Sequence, residues 1–234
     1  MWLALILLGL AGSLVYWLLV LSEGVYLGRR AVIALYDRGA ASYDAVKQVR
    51  PQDDAVYLAR PLLKRLSEID VPLVLDVATG TARLPLSLTR QLDFRGRVVG
   101  LDLAGLMLAI AQHKTRSHRT RVGLVRQDAM ALPFADASFD AVTCIEALEF
   151  LPQPLGALAE MSRVLRPGGQ LLISNRVGAD ALFFPGRAFR SDAFYGQLQA
   201  LGLVDTGTRR WQEHYDLIDA TKPLHGHETA QTHR

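Results

Sequence analysis

Val74-Leu75-Asp76-Val77-Ala78-Thr79-Gly80-Thr81-Ala82 decides how this chain folds. An apolar run from Val71 to Val77 carries an acid near its end, passes through small residues, and gives way to a helical stretch from Leu84 to Leu92. The pattern is a strand, a tight turn and a helix. Small residues in the turn let backbone approach a ligand closely, and the N–H groups at the helix start can receive its acceptor atoms. A dinucleotide site would carry G-x-G-x-x-G here, which this segment lacks. Its acid comes before the glycine instead, and a carboxylate there suits the cationic end of a ligand.

The same alternation continues downstream. Short strands are predicted at Arg97 to Leu101, Val122 to Val125, Phe139 to Ile145 and Gln170 to Ser174, with helices at Gly105 to His113 and Leu155 to Leu165. A helix from Phe189 to Leu201 and a last strand from Trp211 to Ala220 follow, while helices between Val32 and Val46 and from Ala55 to Ile69 come before. Strands alternating with helices of this length give α/β architecture: a doubly wound, mostly parallel sheet that binds ligands beyond the carboxyl ends of its strands. Asp102 and Asp128 fall at two more strand ends. A carboxylate at the first can accept from both hydroxyls of a ribose, and one at the second from the exocyclic amine of a base, with Ala129 adding a backbone donor. Taken singly, Asp102 could instead cap the next helix and Asp128 could be an ordinary surface acid. Cys144, the one cysteine, sits in an apolar run and reads as core filler, so the chain forms no internal disulfide.

Half of the 234 residues are hydrophobic, and the excess lies at one end. From Trp2 to Leu21 every residue is apolar or small, a run of about 20 residues that as a helix spans the bilayer's hydrocarbon core. No Lys or Arg precedes it, which favours a retained anchor over a cleaved signal peptide. Arg29, Arg30, Arg38 and Lys47 follow it, so the positive-inside rule places the rest in the cytoplasm. The expected organisation is a transmembrane anchor over 1–22, a helical linker and cap over 23–70, a ligand-binding domain over 71–222 and a disordered tail over 223–234. The tail histidines, His225, His227 and His233, lack a partner constellation, so no metal is expected. A net charge of +3 with scattered basic residues does not call for nucleic acid.

Four segments in order carry a specific resemblance: Val74 to Ala82, Val98-Val99-Gly100-Leu101-Asp102-Leu103, Gln127 to Asp140, and Arg163-Val164-Leu165-Arg166-Pro167-Gly168-Gly169. Together they resemble the class I S-adenosylmethionine-dependent methyltransferases, most of all the small-molecule branch that includes quinone-biosynthesis enzymes. The resemblance spans about Tyr36 to Leu172. It implies S-adenosyl-L-methionine as cofactor, with Asp76, Ala78, Thr79 and Gly80 around its methionine part, Asp102 and Leu103 at the ribose and adenine edge, and Asp128 with Ala129 at the adenine. Tyr43 would close over it, and Ile145 with Glu146 would line the methyl side. The chain departs from the family's pattern twice. Alanine stands at 78 and 82, where glycine is frequent, and Glu149-Phe150 holds the place of the Arg-Asn pair of quinone methyltransferases, which argues against a quinol reaction.

A sulfonium is already an activated methyl donor, so the protein mainly has to hold the nucleophile in line with the methyl group. Glu146, Glu149, His214 and Tyr43 are the titrating groups in range by position, and none is assigned a catalytic role. The expected partners are a small-molecule or lipid-like methyl acceptor and membrane lipid. The alternatives are a soluble acceptor, or cofactor binding without turnover. Val25-Tyr26-Leu27 and Val32 to Leu35 are apolar enough to lie along the interface, and Phe183-Phe184-Pro185 marks an oily entrance at the carboxyl edge of the sheet, so the acceptor is expected from the membrane side.

Overall fold

Val74, Leu75 and Val77 are fully buried in β1 (Leu73–Val77), as a central strand covered on both faces requires. The computed structural model describes residues 1–224; the tail histidines and 225–234 lie outside them. Ahead of β1 come α1 (Trp2–Tyr16), α2 (Arg29–Gly39), α3 (Tyr43–Val46), α4 (Pro51–Asp54) and α5 (Arg60–Arg65). After it come α6 (Arg83–Thr89), β2 (Arg97–Asp102), α7 (Gly105–Thr115), β3 (Val122–Arg126), β4 (Phe139–Cys144), α8 (Pro154–Val164), β5 (Leu165–Arg176), α9 (Ser191–Ala200), β6 (Val204–Gln212) and β7 (Tyr215–Thr221).

The strands form one sheet in the order β3-β2-β1-β4-β5-β7-β6. The first five are parallel, and β7 enters antiparallel between β5 and β6. Strand order reverses between β1 and β4, and a doubly wound sheet leaves its ligand crevice at such a point. Gly100 of β2 serves this region directly: a Cβ there would meet Thr79 at 2.9 Å, so the bare backbone leaves room for the turn after β1. Cys144 is buried in the core, where burial pushes its thiol pKa well up.

Three elements differ most from those read in the sequence. The single last strand is a hairpin, β6 and β7, whose two-residue turn is Glu213-His214. β6 is a half-exposed edge strand with Asp205, Gly207, Arg209 and Arg210 along it, so no apolar run announced it. β5 begins at Leu165 rather than Gln170, because Leu165 pairs with Phe139 before a register shift. The helix expected over Ala55 to Ile69 runs instead from Pro51 to Arg65, with a π-type segment at Ala55–Ala59. Pro61 explains the irregularity, since it has no N–H for the Tyr57 carbonyl. Arg209 Nη2 donates to that carbonyl at 3.2 Å.

Trp2–Leu21 is a 20-residue helix, ending in a π-type turn, that is long and apolar enough to cross a membrane, and none of it is buried. Its end is tied down. Ser22 Oγ donates to the Trp17 carbonyl at 2.9 Å, and the Trp17 indole stacks on Tyr26 with centroids 4.9 Å apart. Val25 then buries itself against Phe150 and Phe184.

Candidate functional site

The turn after β1 is held from two sides. Asp76 accepts from the Thr79 hydroxyl at 2.6 Å and from the Thr143 hydroxyl at 2.7 Å, and the Thr79 N–H donates to the Leu101 carbonyl at 2.9 Å. Asp102, at the end of β2, accepts from the Gly80 N–H at 2.8 Å and the Ala104 N–H at 2.9 Å. It therefore braces the turn, and α7 gains no side-chain cap from it. Burial raises the Asp76 carboxyl to about 6. Burial also raises Asp102, against the pull of its backbone donors.

Ala78 and Ala82 take φ of +55° and +65°, where a Cβ is strained and glycine is not. The two departures from the family's glycines therefore sit where glycine fits best. Ala78→Gly is expected to stabilise the fold by about 1 kcal/mol in denaturant unfolding, since relief of the left-handed strain exceeds glycine's added chain entropy. An unchanged or lowered unfolding midpoint would contradict this.

Above the turn opens a cavity. Nine of the eleven residues singled out in the sequence line it: Tyr43, Ala78, Gly80, Asp102, Leu103, Asp128, Ala129, Ile145 and Glu146. The other two, Asp76 and Thr79, line a smaller cavity beside it, which shares Tyr43, Ala78, Gly80, Ile145 and Glu146 with the first and adds Arg83 and Leu58. The expected cap lies over the cavity, but its lining residues were not named from the sequence. Arg29, Val32, Ile33 and Tyr36 of α2 and Phe150 and Leu151 after β4 complete the main cavity. Arg29 forms an ion pair with Asp128, whose other oxygen accepts from the Met130 N–H at 3.0 Å. The sequence marked Arg29 only as a basic residue after the apolar span, not as a partner of Asp128.

Arg83, also missed, holds the floor. Its Nε donates to both oxygens of Asp54 at 2.8 and 2.9 Å, Nη1 donates to Glu146 Oε1 at 2.6 Å, and its guanidinium lies 5.1 Å from the centre of the Trp211 ring. Asp54 and Glu146 are buried, from segments far apart in the chain.

None of the four titrating candidates is a free base. Glu146 is held by Arg83 and by Gln212 Nε2 at 3.1 Å. Glu149 is buried in a 3-10 turn (Leu148–Phe150) and accepts from Arg176 Nε at 2.8 Å and the Tyr215 hydroxyl at 2.5 Å. His214 is a turn residue, not a strand residue, and its Nδ1 lies 3.3 Å from Asp180. Tyr43 lines the cavity, but burial pushes its phenol pKa well up.

A methyltransferase domain family matches residues 75–173, the segment that runs from β1 through most of β5 and holds the three strand-end acids. Over this segment, about two fifths of its length, the chain is similar to a methyltransferase domain. A demethylmenaquinone methyltransferase of Staphylococcus haemolyticus is 45% identical over 98 residues, 42% of this chain and 41% of that protein. One of Lactiplantibacillus plantarum is 34% identical over 143 residues, 60% of each. The chain thus spans between about two fifths and three fifths of these curated relatives. Among solved structures, a SAM-dependent methyltransferase from Aquifex aeolicus superposes with a TM-score of 0.60 at 20% identity, covering 75% of this chain and 95% of that one. The [4+2]-cyclase SpnF superposes with a TM-score of 0.59 at 22% identity, covering 72% and 80%. These likenesses show the fold, and the methyltransferase domain indicates S-adenosylmethionine as the cofactor. The residues present fit it: a glycine turn braced by Asp102, a second strand-end acid at Asp128, and a polar floor of Asp76, Arg83 and Glu146.

Proposed function

We propose that this chain transfers the methyl group of S-adenosylmethionine to a small, lipid-soluble acceptor at a membrane surface. The observation that carries the reading is the gathering of Asp76, Asp102 and Asp128 with the Gly80 turn at the reversal point of the sheet, inside the matched methyltransferase domain. In this reading Asp102 accepts from the ribose and Asp128 from the adenine amine once Arg29 gives way. Tyr43 covers the sulfonium, and Arg83 faces the carboxylate of the methionine part. The cofactor supplies the activated methyl group; the chain's task is to align the acceptor for in-line displacement and to keep water out.

The acceptor class follows from the walls. Val32, Ile33, Tyr36, Phe150 and Leu151 give the cavity an apolar lining beside its acids. Phe150 stands edge-on to Tyr36 at 5.5 Å, a wall suited to a flat ring. The relatives' names speak for a quinone-like ring, whereas Glu149-Phe150 in place of Arg-Asn speaks for a different ring from theirs. The membrane side is supported by a chain of contacts. Trp17 at the end of the apolar helix stacks on Tyr26; the Tyr26 hydroxyl donates to the Pro185 carbonyl at 2.9 Å, and Arg187 lies over the Tyr26 ring. Arg187 in turn donates to the carbonyl of Leu151, which lines the cavity.

The full chain is expected to stay with membranes after alkaline washing, and deletion of residues 1–21 to release it. Turnover by the two forms on a lipid-like acceptor, compared in vesicles and in detergent, tests the membrane-side reading. Truncation is expected to lower the rate in vesicles only; equal rates in both formats would overturn it.

The floor also gives a pH dependence. Asp76 is protonated below about 6, and a cationic cofactor favours its charged form. The folded pKa lies above the ordinary carboxylate value, so the free protein holds a proton that binding expels. Cofactor affinity is therefore expected to rise with pH through about 6, with proton release visible as buffer-dependent heat in calorimetry. An affinity that falls over this range would contradict the role given to Asp76.

A further inference from the structure

Arg83 borders two openings. One is the smaller cavity at the turn after β1; the other is a separate recess that shares no residue with the main cavity. One wall of the recess is α6 and its C-terminal end, where Arg83, Ser87 and Arg90 follow one another at spacings of four and three and so share a helix face. Asp44 of α3, Asp54 of α4 and Lys114 of α7 supply the rest of the polar wall.

The acceptors of this wall are engaged, and donors are left over. Asp54 receives Arg83 Nε on both oxygens. Asp44 accepts from the Thr81 hydroxyl at 2.6 Å through one oxygen and from Lys114 Nζ at 2.7 Å through the other. Lys114 also donates to Thr81 Oγ1 at 3.0 Å, so one of its three N–H groups remains open. Ser87 is 5% exposed, and its buried hydroxyl has no partner among the described residues. Thr89, on the same helix, returns its hydroxyl to the Pro85 carbonyl at 2.8 Å; Ser87 makes no such bond. Arg90 is exposed and pairs with no carboxylate among the described residues. Its charge is felt nearby: burial and the guanidiniums of Arg121 and Arg90 hold His118 below the usual imidazole range.

We propose that this recess binds a small oxyanion, the phosphate or carboxylate group of a metabolite, through the Ser87 hydroxyl, the Arg90 guanidinium and the open N–H of Lys114. All three open groups are donors, so the guest must bring acceptors. Three cations against two carboxylates leave the lining with a positive excess, which selects an anionic acceptor over a neutral one. A buried donor without a partner costs stability, and a guest that accepts from it recovers that cost. The site is additional to the cofactor site and does not depend on which molecule is methylated.

Inorganic phosphate and acetate are titrated separately into the full chain in maltoside micelles at fixed ionic strength, with chloride as the balancing anion. At least one of them is expected to bind and to raise the thermal unfolding midpoint where chloride does not. Whichever binds more tightly tells a phosphate-bearing ligand from a carboxylate one. Binding should persist at saturating S-adenosylmethionine. Arg90→Gln should weaken it about tenfold or more, the worth of a hydrogen bond to a charged group. Ser87→Ala should weaken it as well, yet in the absence of the anion unfold no earlier than wild type, because the unpartnered hydroxyl is gone. Binding of neither probe above chloride, or binding indifferent to both substitutions, would overturn the proposal. So would displacement of the anion by S-adenosylmethionine, which would make these donors part of the cofactor site. A Ser87→Ala protein less stable than wild type without the anion would show the hydroxyl to be structural and would overturn it too.

Discussion

Arg83→Met is expected to destabilise the protein by about 3 to 5 kcal/mol, the usual loss when one partner of a buried charge pair is removed. The neutral side chain fills similar space but leaves Asp54, 2% exposed, and Glu146, 7% exposed, facing each other without a cation. Burial already raises the Asp54 carboxyl against Arg83's opposing pull, so without that pull it rises further. The penalty of an unpaired charge applies while Asp54 is ionised and disappears once it is protonated, so the variant's deficit should shrink as pH falls. Arg83→Lys keeps the charge but loses the fork that reaches both carboxylates, and should fall between the two. Denaturant unfolding followed by circular dichroism at two pH values measures all three. A deficit below about 1 kcal/mol for Arg83→Met would show that the cluster is not the support described.

Asp102→Ala is expected to weaken S-adenosylmethionine binding by about 1.5 to 3 kcal/mol, roughly tenfold to 150-fold, with a smaller loss for Asp102→Asn. Two effects add. The ribose loses its charged acceptor, and the Gly80 N–H loses the carboxylate that fixes the turn. Asparagine keeps one oxygen, which can serve the turn or the ribose but not both at full strength. Titration calorimetry on folded protein, checked by circular dichroism, separates the two variants. Unchanged affinity in Asp102→Ala would remove the ribose contact from the account.

The parallel half of the sheet was legible because its strands are buried runs. Val74 to Val77 and Phe139 to Cys144 can be little else between the turns that bound them. The strand-end acids were legible for a topological reason: successive parallel strands bring Asp76, Asp102 and Asp128 to one edge of the sheet however far apart they lie in the chain. β6 was not legible, because an edge strand with one solvated face spends its residues on Asp205, Arg209 and Arg210. Nor was the floor, since nothing local in Arg83 announces that its partners are Asp54 and Glu146. The helix start at Pro51 was a recoverable miss, for proline is favoured in the first turn and the two acids after it, Asp53 and Asp54, suit a helix N-terminus.

The most direct measurement supplies membranes bearing the full chain with S-adenosylmethionine labelled in its methyl group and follows the label into the organic-extractable fraction. The account expects label to enter a lipid-soluble product with the wild-type chain and to drop by about tenfold or more with Asp102→Ala at cofactor concentrations below saturation. Label that stays wholly in the aqueous phase, or enters the lipid fraction equally with both chains, would contradict it.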